Sequence, residues 1–83
     1  MKKVQRKITP KTVREDILSE ARVLKIHAGY AELIADKVIA EVKRYLESHP
    51  AFTDKDIEIL VYTELRKYSK DLAYIYHNRD KII

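Results

Sequence analysis

The sequence predicts a mostly α-helical single domain, in which a short N-terminal strand or extended arm (residues 1–9) precedes a four-helix bundle (residues 10–80). Four amphipathic stretches, three of them with a helix start signal, indicate the helices. Of the 83 residues, 46% are hydrophobic and 36% are charged, which is typical of a folded chain rather than a disordered one. One glycine, two prolines and no cysteine leave no basis for a loop-rich or disulfide-stabilised fold.

An extended segment is expected before the first helix. Residues 3–8 alternate weakly between polar and apolar side chains, a pattern typical of a short strand. Thr9 can cap a helix that begins at Pro10, since proline favours the first helical position. Thr12 with Glu15 offers an alternative start as a capping box. The buried stripe of this helix is expected to be Val13, Ile17, Ala21 and Leu24.

Gly29, the only glycine, is expected to end the first helix as a left-handed cap or within a tight turn. The second helix is the longest and is expected to stop at Ser48 and His49, because the residue before Pro50 disfavours helix. Its buried stripe is predicted to be Ala31, Ile34, Ala35, Val38, Val42, Tyr45 and Leu46.

Two shorter helices follow. Thr53 is expected to cap the third, with Asp54 and Asp56 in its first turn favoured by the helix dipole, and Ser69 is expected to cap the fourth. The third helix is predicted to bury Ile57, Leu60, Val61, Leu65 and Tyr68. The fourth is predicted to bury Leu72, Ala73, Ile75 and Tyr76.

Positive charge is concentrated at the N-terminus. The six basic residues of positions 1–14, where no acid occurs, are Lys2, Lys3, Arg6, Lys7, Lys11 and Arg14. Residues 15–83 contain eleven basic and thirteen acidic residues, so the remainder of the chain has a net charge of −2. A broad cationic face for a polyanion is therefore not predicted, whereas a local contact with a phosphate group is.

Little in the sequence indicates catalysis. His27, His49 and His77 are far apart and lack metal-ligand spacing, so we interpret them as capping or solvated side chains. Asp54 and Asp56 resemble the start of a calcium loop, but the glycine and terminal glutamate that such a loop needs are missing. No nucleophile–base pair, phosphate-binding loop or dinucleotide fingerprint is present. We expect no catalytic residue, no metal site and no enzymatic activity.

The six tyrosines have two interpretations. Tyr74 and Tyr76, close to Arg79, are candidates for stacking on a base or nucleotide ring. Alternatively, the tyrosines pack their rings in the core and extend their hydroxyls to water, as the helical spacing of Tyr45, Tyr68 and Tyr76 suggests.

Across residues 8–80 the order of features resembles the ATP-cone, a small and mostly helical regulatory domain. The closest segments are residues 53–57 (Thr-Asp-Lys-Asp-Ile), Val61, Leu65, residues 73–76 (Ala-Tyr-Ile-Tyr) and Arg79. The upstream segments that match more loosely are residues 8–10 (Ile-Thr-Pro), Val13, residues 31–35 (Ala-Glu-Leu-Ile-Ala) and Val38.

This resemblance implies a non-enzymatic module that binds ATP or dATP and switches a partner protein, such as a ribonucleotide reductase or a repressor of its genes. ATP-cones hold the nucleotide with an N-terminal hairpin that contains a Val-x-Lys-Arg-x-Gly pattern. The nearest equivalents here are Val4, Arg6 and Lys7, with no glycine after them. The residues expected to meet the phosphates are Lys3, Arg6, Lys7 and Lys11, with a tyrosine stacking on the base.

Two other functions fit the same pattern. Residues 2–47 resemble a ribbon–helix–helix DNA-binding dimer, in which Lys3, Gln5 and Lys7 would lie on one side of a strand and contact DNA. A helical protein–protein adaptor is the third, and it would need a contiguous exposed apolar patch. No signal-peptide pattern and no long uncharged apolar run is present, so we expect a cytoplasmic protein without membrane association.

Overall fold

The computed structural model describes residues 8–78, which form four helices joined by short connections. These are α1 (Pro10–Val23), α2 (Ala28–Ser48), α3 (Asp54–Arg66) and α4 (Lys70–His77). The predicted mostly helical fold with four helices is confirmed. Residues 1–7 of the predicted N-terminal arm lie outside the described residues.

Three helices begin at the predicted caps. The Thr9 side chain accepts a hydrogen bond from the Thr12 backbone N–H, and the Thr53 side chain accepts one from the Asp56 N–H. In both cases the third helical residue bonds back to the cap backbone, which completes a capping box. Ser69 caps α4 through the Leu72 N–H. The alternative start at Thr12 and Glu15 is wrong, because Thr12 is already inside α1 and pairs with Thr9.

The corner between α1 and α2 differs from its prediction. α1 ends at Val23 rather than at Gly29. The Ile26 N–H bonds to the Ala21 carbonyl and the Lys25 N–H to the Arg22 carbonyl, both at 3.0 Å, the pattern of a Schellman motif. Its left-handed position is occupied by Lys25, with φ of 61°. Gly29 instead lies in the first turn of α2 without a positive φ, and its N–H donates to Nδ1 of His27, the N-cap.

The core is formed by the predicted stripes. α1 packs against α2 and α4, and α3 packs against the same two helices. The buried residues are Val13, Ile17, Ala21, Ala31, Ile34, Ala35, Val38, Val42, Ile57, Val61, Leu65, Leu72, Ala73 and Tyr76. All of them were expected to be buried, and no polar or charged side chain among the described residues joins them.

Candidate functional site

The hairpin of α3 and α4 brings a basic side chain and two rings together at the surface. The two helices are joined by three residues, 67–69, so they run antiparallel as packed neighbours. Tyr62, in the middle of α3, meets His77, in the last turn of α4, with ring centroids 5.0 Å apart and planes inclined by 50°. The guanidinium of Arg66 lies over the Tyr62 ring, 5.7 Å from its centroid.

The contact between Arg66 and Tyr62 follows from helix geometry. The two residues are four positions apart on α3, and such residues are neighbours on a helix surface. A guanidinium above an aromatic face is attracted by the electrons of the ring. Arg66 is exposed and takes part in no ion pair among the described residues, so its donors are open to an external acceptor.

The exposed side of α4 adds a second basic residue and another ring. Lys70, Tyr74 and His77 follow each other at spacings of four and three, which places them along one side of α4. Tyr74 is 65% exposed, and Lys70 and His77 are also exposed. We call the surface formed by Tyr62, Arg66, Lys70, Tyr74 and His77 the α3–α4 face.

Of the residues predicted to bind a nucleotide, the structure describes Lys11, Tyr74 and Tyr76. Lys3, Arg6 and Lys7 lie outside the described residues. Lys11 is exposed in the first turn of α1, and no hydrogen bond, ion pair or ring contact of the described residues joins it to Tyr74. Tyr74 remains accessible for stacking.

Tyr76 and Arg14 are engaged within the fold. Tyr76 is 1% exposed and belongs to the core, so its ring offers no free face to a base. Arg14, one of the N-terminal basic residues, forms an ion pair with Asp36 of α2. Among the N-terminal basic residues that the structure describes, Lys11 is therefore the one available to an anion.

The histidines at the ends of α2 have capping roles, as expected. His27 accepts the Gly29 N–H at the N-terminus of α2. His49 follows the C-terminus, where its Nδ1 lies 3.0 Å from the Tyr45 carbonyl oxygen and its ring stacks on the Tyr45 ring with centroids 4.0 Å apart. No three histidine or acidic side chains within residues 8–78 are grouped so that they could hold a metal ion.

A shallow groove lies between α2 and α3. Its lining is mostly apolar, its volume is 310 Å³, and it is bordered by Tyr45, Asp56, Ile59, Leu60 and Thr63. Ile59 is 53% exposed at this surface. Exposed apolar surface of this kind is what the adaptor hypothesis requires.

The sequence pattern did not identify Tyr62, Arg66 and His77 as members of one site. The spacing of Tyr62 and Arg66 was a local signal for their contact, because i and i+4 side chains meet on a helix. The approach of His77 depends on how α4 packs along α3, which no local pattern specifies.

No protein-family model, curated protein or solved structure matches this chain. The resemblance to ATP-cones therefore stays a prediction from the sequence. None of the helices within residues 8–78 is long and apolar enough to span a membrane.

Proposed function

We propose that this chain is a non-enzymatic, ATP-cone-like regulatory module that binds ATP or dATP through its basic N-terminal segment. The phosphates of the nucleotide are bound by Lys3, Arg6, Lys7 and Lys11. The observation that carries the proposal is the charge distribution, in which the first fourteen residues contain six basic side chains and no acid. Lys11 supports it further, since it is exposed and makes no ion pair among residues 8–78.

The base of the nucleotide stacks on the ring of Tyr74. Its ring is 65% exposed, whereas the ring of Tyr76 is enclosed by the core. Stacking of a base on an aromatic side chain is worth about 1–3 kcal/mol, enough to discriminate between nucleotides and free phosphate.

Calorimetric titration with ATP and dATP tests the proposal. We expect saturable heat from the unmodified chain and its loss when Lys3, Arg6, Lys7 and Lys11 are all replaced by Gln. The control replaces Lys37 and Lys43, two exposed lysines of α2 that make no ion pair within residues 8–78, and should keep the heat. Absence of heat at about 1 mM nucleotide, where binding of even a few kcal/mol is detected, would remove the nucleotide function.

Tyr74→Ala and Tyr30→Ala form a second matched pair. Tyr30 is 45% exposed on α2, so its replacement also removes an exposed tyrosine ring, but from a different helix. Weaker ATP binding in the Tyr74 variant alone is the expected result. An equal effect of both variants would show that Tyr74 does not stack on the base.

The adaptor function is the second candidate, because the groove of Tyr45, Ile59 and Leu60 gives it a specific surface. The DNA-binding alternative predicts salt-dependent affinity for duplex DNA that disappears when residues 1–7 are deleted. If neither nucleotide nor DNA binds, the adaptor function is the one that remains.

A further inference from the structure

The α3–α4 face has more aromatic rings than one base can use. Tyr62, Tyr74 and His77 are three rings on one surface, bordered by the cations of Arg66 and Lys70. We propose that this face binds single-stranded nucleic acid. This goes beyond the proposed function and does not require nucleotide binding by the N-terminal segment.

The arrangement of the rings suits unpaired bases. The planes of Tyr62 and His77 are inclined by 50°, so the two rings do not cover each other as stacked rings would. His77 is exposed and Tyr74 is 65% exposed, so these two rings are accessible to bases. The planar guanidinium of Arg66 extends the surface of Tyr62, since bases also stack on arginine.

The helix register sets the length of the surface. Lys70 to His77 spans about two turns of α4, or about 11 Å. Because α3 and α4 are antiparallel, Arg66 and Lys70 lie at the end near the connection, and Tyr62, Tyr74 and His77 follow along the hairpin. A single-stranded nucleic acid lying along the hairpin would contact the two cations at one end and the aromatic rings towards the other.

Acidic neighbours limit the electrostatic contribution. Asp71 precedes Tyr74 by three positions and Glu58 precedes Tyr62 by four, so each borders the face. Stacking rather than charge therefore dominates the binding. A duplex, whose bases are already stacked and paired, gains little from such a surface.

The salt dependence distinguishes this face from the N-terminal segment. For a single strand, the logarithm of the binding constant falls with the logarithm of the salt concentration, with a slope of about −0.7 for each phosphate contact. Two contacts, made by Arg66 and Lys70, give a slope of about −1.4. The four cations Lys3, Arg6, Lys7 and Lys11 would instead give about −2.8. A shallow slope identifies the α3–α4 face, and a steep one identifies the N-terminal segment.

Fluorescence anisotropy with labelled oligo(dA) and oligo(rA) of about twelve nucleotides, within the size range of known single-strand sites, tests the proposal. We expect oligo(dA), oligo(rA) or both to bind, with an affinity that depends only weakly on salt concentration. Binding to a duplex should be at least about fivefold weaker. Tyr74→Ala should weaken strand binding at least about fivefold, the lower limit of one stacking interaction. Arg66→Gln with Lys70→Gln should flatten the salt slope.

Tyr30→Ala and the Gln variants of Lys37 and Lys43 are the matched controls on α2 and should retain the affinity. Thermal unfolding of every variant shows whether it is folded. Absence of strand binding at about 1 mM protein would overturn the proposal. The proposal would also be overturned if replacing Lys3, Arg6, Lys7 and Lys11 with Gln abolished binding of the oligonucleotide while the Tyr74 and Arg66 variants bound it normally. Calorimetry with ATP is a separate readout, so either proposal can fail without the other.

Discussion

Replacing Lys25 with glycine is expected to stabilise the protein. Lys25 has φ of 61° at the left-handed position of the α1 Schellman motif, where the backbone of a side-chain-bearing residue is disfavoured by about 1–2 kcal/mol. Glycine removes that cost, but its greater conformational entropy in the unfolded chain lowers the stability by about 0.5–1 kcal/mol. The net gain is about 0.5–1 kcal/mol.

This gain corresponds to a rise in Tm of about 2–8 °C, because a domain of this size shifts by about 4–8 °C for each kcal/mol. Thermal unfolding followed by circular dichroism measures the rise, and urea unfolding gives the free energy directly. Lys25→Ala is the decisive control, since it removes the charge and the long side chain but keeps the disfavoured φ. Ser19→Gly, at an exposed position inside α1, is the second control and should lower stability by up to about 0.5 kcal/mol, because serine is already less favourable than alanine in a helix.

Equal stability of the Lys25→Gly and Lys25→Ala variants would refute the argument. It would show that the left-handed backbone is not what limits this corner. A gain in the alanine variant alone would attribute the effect to the lysine charge instead.

Two further predictions use matched positions within the fold. Tyr76→Ala should cost about 3–5 kcal/mol of unfolding free energy by emptying the core, whereas Tyr74→Ala should stay within about 0.5 kcal/mol, and urea unfolding compares the two. A double-mutant cycle of Arg14→Ala and Asp36→Ala should give a coupling energy below about 1 kcal/mol, because both side chains are more than a third exposed, and the coupling should fall further at high salt. A coupling of several kcal/mol would contradict that estimate.

The helix caps and apolar stripes could be predicted because they depend on residues that are close together in the sequence. The side chains of Thr9, Thr53 and Ser69 each accept a hydrogen bond from the backbone N–H three residues later, so a short segment contains both partners. The apolar stripes are equally local, since helical spacing alone determines which side chains share a side. These signals were sufficient for four helices and for every fully buried residue.

The α1–α2 corner and the α3–α4 face could not be predicted in this way. Glycine has the highest propensity for a left-handed cap, so Gly29 was the natural choice. Instead, the left-handed cap of α1 is Lys25, about one turn before Gly29, and carbonyls of the last turn of α1 accept the hydrogen bonds of Lys25 and Ile26. The meeting of Tyr62 and His77 likewise depends on packing between helices, which no spacing within one segment encodes.

The separation of core from candidate site makes the functional tests interpretable. Lys11, Arg66, Lys70 and Tyr74 are exposed, and the residues that hold the helices together are apolar and buried. Substitutions at the exposed positions should therefore leave the free energy of unfolding nearly unchanged, so that lost binding reports a lost contact. Tyr62 is the exception, because it is half-buried and also packs against the core. For that reason Tyr74 and the two cations, rather than Tyr62, are the positions at which ligand recognition by the α3–α4 face can be judged.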